Sequence, residues 1–461
     1  MVTLIKNGTI VTAGDTFRAD LRLEEERIVE IGAQLAARPG DETLDASGKW
    51  VMPGGVDVHT HLDMPFKNTH SSDDFASGTI AAAFGGTTSI VDFVMPEKGQ
   101  PLQAALEVWQ RRAEGKAAID YGFHMSIVEM GQGILRQMGS LVQNGITSFK
   151  LYMAYPDTLM LDDGAIYQAL SWAAGQGALI QIHAENGPAI VEISSEMASE
   201  GKTEPLFHGL SRPAALEGDA TARVLTLAGL AGAPIYIVHL SCKEALEAVR
   251  QARARGVRVW TETCPHYLYL SLEDLARPNF EGAKFVCSPP LRNQWQGEEL
   301  WRGLATSDLQ IVATDHCPFN FQGQKELGRG DFRQIPNGLP GIETRLPLLY
   351  QGVVDGKLSL NRFVDAVSTA PAKVFGLYPR KGAIIPGADA DLILWDPEKS
   401  MDLSARHLHM RVDYSPYEGR IAKGGPDKVL LRGNVVVDGQ RFLGHPGQGQ
   451  FLRRDPFTLP S

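Results

Sequence analysis

Eight short apolar runs, separated by longer stretches of helical character, constrain this chain more than any other feature. They are Val56–Val58, Ser89–Phe93, Tyr121–Ile127, Ser148–Met153, Ala178–His183, Ile235–Leu240, Val257–Glu262 and Leu309–Ala313. A strand covered on both faces reads as a continuous apolar run rather than an alternating one. Strands that alternate with helices predict a parallel sheet. Eight such units predict an α/β fold built on a (β/α)8 TIM barrel.

The flanks read differently. Residues 1–50 contain short strand signals. Lys6-Asn7-Gly8 between Val2–Ile5 and Thr9–Thr12 is a hairpin signal, and Ala19–Leu23 and Ile28–Ile31 flank a charged turn. After about Gly376 strands return at Ala390–Trp395, Lys428–Arg432 and Val435–Val437, with turns at Gly433-Asn434 and Asp438-Gly439. The two ends are expected to pair into one β domain. That gives 1–54 with 377–461 as a β-sandwich and 55–376 as the barrel. The tail Phe451–Ser461 is expected to be extended.

Composition excludes several classes. A net charge of −10 disfavours a binder of nucleic-acid phosphates, which would present a basic face. No uncharged apolar stretch is long enough to span a membrane, and the first residues carry no signal-peptide pattern. Four cysteines (Cys242, Cys264, Cys287 and Cys317), none in a CxxC pair, are no disulfide framework, and a reducing cytoplasm is the simplest location.

Barrel sites lie at the C-terminal ends of the strands, so the polar residues there carry the chemistry. They are His59 and His61, Lys150, His183, His239 and Asp315. In HxH on a strand both side chains share a face, and two imidazoles suit a divalent ion such as zinc. Five imidazole and carboxylate groups exceed the need of one ion with an open position. Two metals with a bridging hydroxide are the natural expectation. Lys150 fits only outside the site or with its charge changed, for example as a carbamate formed with CO2. A second HxH, His407 and His409, lies in the β-rich tail and reads as surface. His266 and His316 sit beside motifs and read equally well as outer support or as packing.

The chain resembles the cyclic amidohydrolases of the hydantoinase/dihydropyrimidinase group. The resemblance spans essentially the whole chain. It is carried by Pro53-Gly54-Gly55-Val56-Asp57-Val58-His59-Thr60-His61, Gly85-Gly86-Thr87-Thr88, Ser148-Phe149-Lys150, His183-Ala184-Glu185-Asn186, Val238-His239-Leu240-Ser241, Cys264-Pro265-His266-Tyr267, Ser288-Pro289-Pro290-Leu291-Arg292, Thr314-Asp315-His316-Cys317-Pro318-Phe319 and Pro336-Asn337-Gly338. It implies a distorted barrel with a β-sandwich built from both termini.

It also implies two zinc ions bridged by an N6-carboxylated Lys150. His59, His61, Lys150 and Asp315 would bind one, and Lys150, His183 and His239 the other. By the same resemblance Asp315 is general base and then acid, and Tyr155 stabilises the oxyanion. Ser288 and Asn337 supply main-chain contacts to the ring amide. Met64, Phe66, Tyr152 and Met160 form an apolar gate. Relatives that open dihydroorotate carry an Arg two residues after the HxH pair, where this chain has Asp63, so a neutral cyclic ureide or imide is the expected small-molecule substrate. The resemblance further implies a homotetramer. Allantoinase and a non-catalytic scaffold are the rival readings. Tyr155 and the apolar gate weigh against the first, and the full ligand set against the second.

Overall fold

The computed structural model describes residues 2–66 and 69–458. Its centre is an eight-stranded parallel sheet. We label the strands β1 (Gly55–Thr60), β2 (Thr87–Val94), β3 (Asp120–Ser126), β4 (Ser148–Tyr152), β5 (Leu179–His183), β6 (Ile235–Ile237), β7 (Val259–Thr263) and β8 (Ile311–Val312). Each neighbours the next in sequence order, so the chain winds once around a barrel. Every expected apolar run overlaps one strand.

The seam is irregular because β8 has only two residues. Its ladder gives way to a single bridge between Thr60 and His316. Two further bonds sew it, from His61 N to His316 O at 2.9 Å and from Thr314 N to Asp57 Oδ1 at 3.1 Å. Lower down, the buried Arg345 guanidinium donates to Val56 O at 2.9 Å, Val312 O at 3.0 Å and Thr87 Oγ1 at 3.0 Å. It satisfies carbonyls that the short strand leaves without ladder partners.

The two chain ends meet in two further sheets. One has four strands, in the order Arg27–Gly32, Asp20–Glu24, Val2–Lys6 and Glu42–Asp45. The other has seven and joins both ends of the chain, since Trp50–Pro53 pairs antiparallel with Leu392–Asp402. Ile5, Ile10, Leu21, Val51, Leu394 and Leu430 fill a shared core.

One local expectation fails here. The Asn7-Gly8 turn closes no hairpin: Val2–Lys6 belongs to the four-stranded sheet and Thr9–Val11 to the seven-stranded one. Ile5 and Ile10 are both buried in the one core, so the chain crosses between sheets at this turn. Gly8 is needed at the crossing, because a Cβ there would come within 2.6 Å of Val51 Cγ2. The other three turns do close hairpins, Asp20–Glu24 with Arg27–Gly32, Ile421–Leu431 with Asn434–Asp438, and Asn434–Asp438 with Arg441–Phe442.

The tail crosses the barrel floor, opposite the strand ends that carry the polar residues. Leu452 N donates to Tyr121 O at 2.6 Å, Arg454 N to Gly145 O at 3.2 Å and Phe457 N to Gly177 O at 2.7 Å. Residues 459–461 of the expected extended tail lie outside the described residues.

A buried charge cluster joins the β3 end of this floor to the terminal segments. Lys381 Nζ lies 2.6 Å from Asp120, 2.7 Å from Asp391 and 2.9 Å from Asp389, and Arg432 also binds Asp120. Burial opposes the Lys381 charge, but the three carboxylates hold its pKa above the ordinary value. Removing the ammonium strands buried carboxylates, which costs about 3–5 kcal/mol. Lys381→Met is therefore expected to lower the unfolding free energy by that amount, read as a fall in the urea midpoint at unchanged slope. A shift under about 1 kcal/mol, the value of an exposed pair, would show that the cluster contributes little.

Candidate active site

The site is assembled at the C-terminal ends of the barrel strands. His59 is the fifth residue of β1, and His61 follows the strand by one residue. Their rings lie 5.2 Å apart, and Phe93 of β2 packs against both, at 4.6 and 5.2 Å. Asp315 follows β8 with φ +49°, and its Oδ1 lies 3.1 Å from Nε2 of both His59 and His61. These three side chains form a candidate metal cluster, with ligand atoms all within 4.8 Å of one another.

His183 ends β5. His239 lies just beyond β6 with φ +37°. His183 Nδ1 is 2.9 Å from His239 Nε2, and the His239 ring is 5.4 Å from that of His59. Two of these candidate ligands, His239 and Asp315, thus adopt left-handed backbone that non-glycine residues rarely use. Such strain clusters at functional sites.

Lys150, in the middle of β4, is buried, and its Nζ is 3.0 Å from His59 Nε2 and 4.5 Å from the Phe93 ring centre. Among the described residues no carboxylate lies within salt-bridge reach of it. Burial draws its pKa down to about 8, toward the neutral amine.

The donor set fits a divalent cation. Glu262 of β7 binds His59 Nδ1, which turns the Nε2 lone pair toward Asp315. Glu185 Oε2 sits 2.8 Å from His183 Nε2, which turns Nδ1 toward His239. Such carboxylate-to-imidazole bonds fix tautomers around metals. The inner nitrogens and the Asp315 oxygen then meet as acceptors, which a proton or a cation must hold together. Burial and the Lys150 charge pull the His59 pKa down, but Glu262 and Asp315 carry it upward overall. Burial pushes Asp315 up, but His59 and His61 hold it well below the usual carboxylate range.

A cavity of about 120 Å3 opens onto this cluster. Met64, Phe66, Met95 and Tyr152 give it an apolar side, and Tyr155, Ser288, Asn337 and Gly338 a polar one. Asn337 Nδ2 donates to Ser288 Oγ at 3.2 Å. Tyr155 has φ +65° and its ring is 5.2 Å from His183. Burial raises its pKa, so the phenol keeps its proton and remains a donor.

The other expected residues fall outside this cavity. Met160 lines a separate outer pocket with Pro156 and Pro188. Asp63 pairs with Arg112 Nε at 3.6 Å and does not face the cavity, so it repels nothing there. His407 and His409 line one outer pocket but meet different carboxylates there, Asp402 at 3.4 Å and Glu343 at 2.8 Å, and among the described residues they form no metal-type cluster. They have acidic partners that sequence reasoning did not foresee. His316 is buried against Asp73 at 3.1 Å, while His266 is buried beside Tyr267.

Sequence reasoning gave no role to Glu262, Phe93, Met95 or Cys317. Glu262 did carry a signal, since it is a carboxylate ending an otherwise barrel-type run. Glu185 carried another, two residues beyond His183.

Residues 50–436 match the amidohydrolase family, and the chain belongs to that metal-dependent family. Relatives within it include hydantoinases and dihydropyrimidinases. A D-hydantoinase from Geobacillus stearothermophilus is 51% identical over 98% of this chain and 97% of its own. A D-hydantoinase from Streptomyces coelicolor is 49% identical over 98% of both. The crystal structure of dihydropyrimidinase from Brevibacillus agri superposes with a TM-score of 0.99 at 48% identity over the full length of both chains.

Proposed function

We propose that this protein hydrolyses the cyclic amide bond of 5-substituted hydantoins and 5,6-dihydropyrimidines, giving N-carbamoyl amino acids. The observation that carries the reading is one cavity whose base is the His59–His61–Asp315 cluster and whose wall holds a protonated tyrosine and a Ser288–Asn337 pair. Relatives named as hydantoinases and dihydropyrimidinases at about half identity support the substrate class.

His59, His61, Asp315 and carboxylated Lys150 would hold one zinc ion, and Lys150, His183 and His239 a second. Bound there, the metals would supply Lewis acidity and a water acidic enough to attack at neutral pH. Lys150 would gain its carboxylate by attack of the neutral amine on CO2, with release of one proton. The ring lies against Ser288 and Asn337, whose rigid backbone matches the alternating donors and acceptors of an imide. Its substituent points to Met64, Phe66 and Tyr152. Asp315 takes the proton of the attacking water and returns it to the ring nitrogen as the C–N bond breaks. Tyr155 donates to the carbonyl oxygen as it becomes an oxyanion. The four buried, unpaired cysteines support a reducing cytoplasm. Among the described residues no helix is long and apolar enough to cross a membrane. We assign a homotetramer by the same family reading.

The test is the ring-opening rate of dihydrouracil and 5-benzylhydantoin, before and after chelation and zinc return. Zinc-dependent turnover of either supports the assignment, and the ratio sets the preferred ring. No turnover of either with zinc bound would overturn it and move the assignment to allantoin or a scaffold role. Tyr155→Phe is expected to lower kcat by ~10²–10³, the cost of one oxyanion donor. A loss under about threefold would make Tyr155 a packing residue.

A further inference from the structure

The loops after β7 and after β8 that carry Ser288 and Asn337 are joined by a fully buried lysine outside the cavity. Lys325 is completely inaccessible. Its three ammonium donors all end on backbone carbonyls: Val286 O at 2.9 Å, Pro336 O at 2.7 Å and Gly338 O at 2.8 Å. An ammonium has three donors and no acceptor, so this lysine is saturated. Among the described residues no carboxylate pairs with it. Burial draws its pKa down to about 7, but three carbonyls converge on the one nitrogen, and only the ammonium form has a donor for each of them.

Those carbonyls belong to the two segments that line the polar wall. Val286 lies two residues before Ser288, and Pro336 and Gly338 flank Asn337. The direct bonds between the segments are few: Gly338 N to Val286 O at 3.0 Å, and Asn337 Nδ2 to Ser288 Oγ at 3.2 Å. Gly338 is wedged on the chain beside Asp315, since a Cβ there would meet Cys317 O at 2.3 Å. The carbonyl of Pro336 shares its peptide unit with the N–H of Asn337. Hydrogen bonds in a chain polarise one another, so a cation on that carbonyl makes the Asn337 N–H a stronger donor.

We propose that Lys325 is a positioning residue for substrate binding, clamping the Ser288 and Asn337 segments at a fixed separation and strengthening the amide that faces the ring. The role in binding rests on the cyclic-ureide reading above; the clamp does not.

The test uses the full-length, zinc-loaded enzyme with Lys325→Met, which keeps length and removes every donor, and Lys325→Gln, which keeps two. For Lys325→Met the KM for 5-benzylhydantoin is expected to rise about tenfold or more, the value of roughly one or two hydrogen bonds, with kcat changed less than KM. Lys325→Gln should fall between. Zinc content should match wild type. Amide exchange should quicken by about tenfold in peptides covering 284–290 and 335–340, and not in those covering His183 or His239. An unchanged KM, a fall in kcat alone, or faster exchange spread over the whole barrel would overturn the proposal. If Lys325→Met does not fold, Lys325→Gln decides by the same criteria. If the wild type opens neither ring, the substrate reading fails, and the exchange pattern still judges the clamp.

Discussion

Lys150→Ala is expected to abolish ring opening and to lower the zinc content, with partial return of activity on adding acetate or propionate. Lys150 Nζ lies 3.0 Å from His59 Nε2. His61, His183 and His239 line the same cavity. A bare ammonium at that point would repel any cation the imidazoles hold. A carbamate places a carboxylate there instead. Losing such a direct ligand should cost more than the roughly 10–100-fold typical of an outer partner. Alanine leaves the space of the lost chain, which a short carboxylate can enter. Isotope-labelled bicarbonate should give a carbamate signal in the wild type and none in the variant. Wild-type activity in Lys150→Ala, or a fully loaded site without the carbamate, would sink this assignment.

The barrel and most of the cluster were legible because two local signals coincide. Buried parallel strands read as apolar runs, and polar residues within or just after the end of such a run stand out against it. That is how His59, His61, Lys150, His183, His239 and Asp315 read from the sequence as polar groups at the strand ends. What was not legible depends on where the chain goes in space. Arg345 closes the barrel by reaching carbonyls on β1 and β8, 289 and 33 residues away. Glu262 serves His59 across 203 residues. No local pattern encodes which distant residue either one reaches. The Asn7-Gly8 turn misled for a related reason. Its residues suit a tight reversal, but the apolar flanks on either side decide which sheet each strand joins, and here they choose two. Asp63 is the same lesson at the site: its position beside the HxH pair suggested a cavity charge, while its side chain turns to Arg112.

Asp315→Asn is the other large expected loss, and the backbone makes it unusually clean. Asp315 holds φ +49°, a conformation that asparagine accepts readily. The variant should therefore keep the fold and the loop while removing only the charge and the basic oxygen. That oxygen lies 3.1 Å from both His59 Nε2 and His61 Nε2, so the carboxylate would offset the charge of a cation held by the imidazoles. It is also the carboxylate of the cluster that lines the cavity, within reach of a bound ring. Loss of proton transfer alone should lower kcat by ~10²–10⁴, and weaker metal binding adds to it. Added short carboxylates should not restore activity, because the amide still fills the space. Zinc content separates the two roles. A loaded but inactive variant assigns the loss to proton transfer, and an empty one to ligation. Activity within about tenfold of wild type, below the smallest proton-transfer effect, would remove Asp315 from both roles and leave the reacting proton without a carrier.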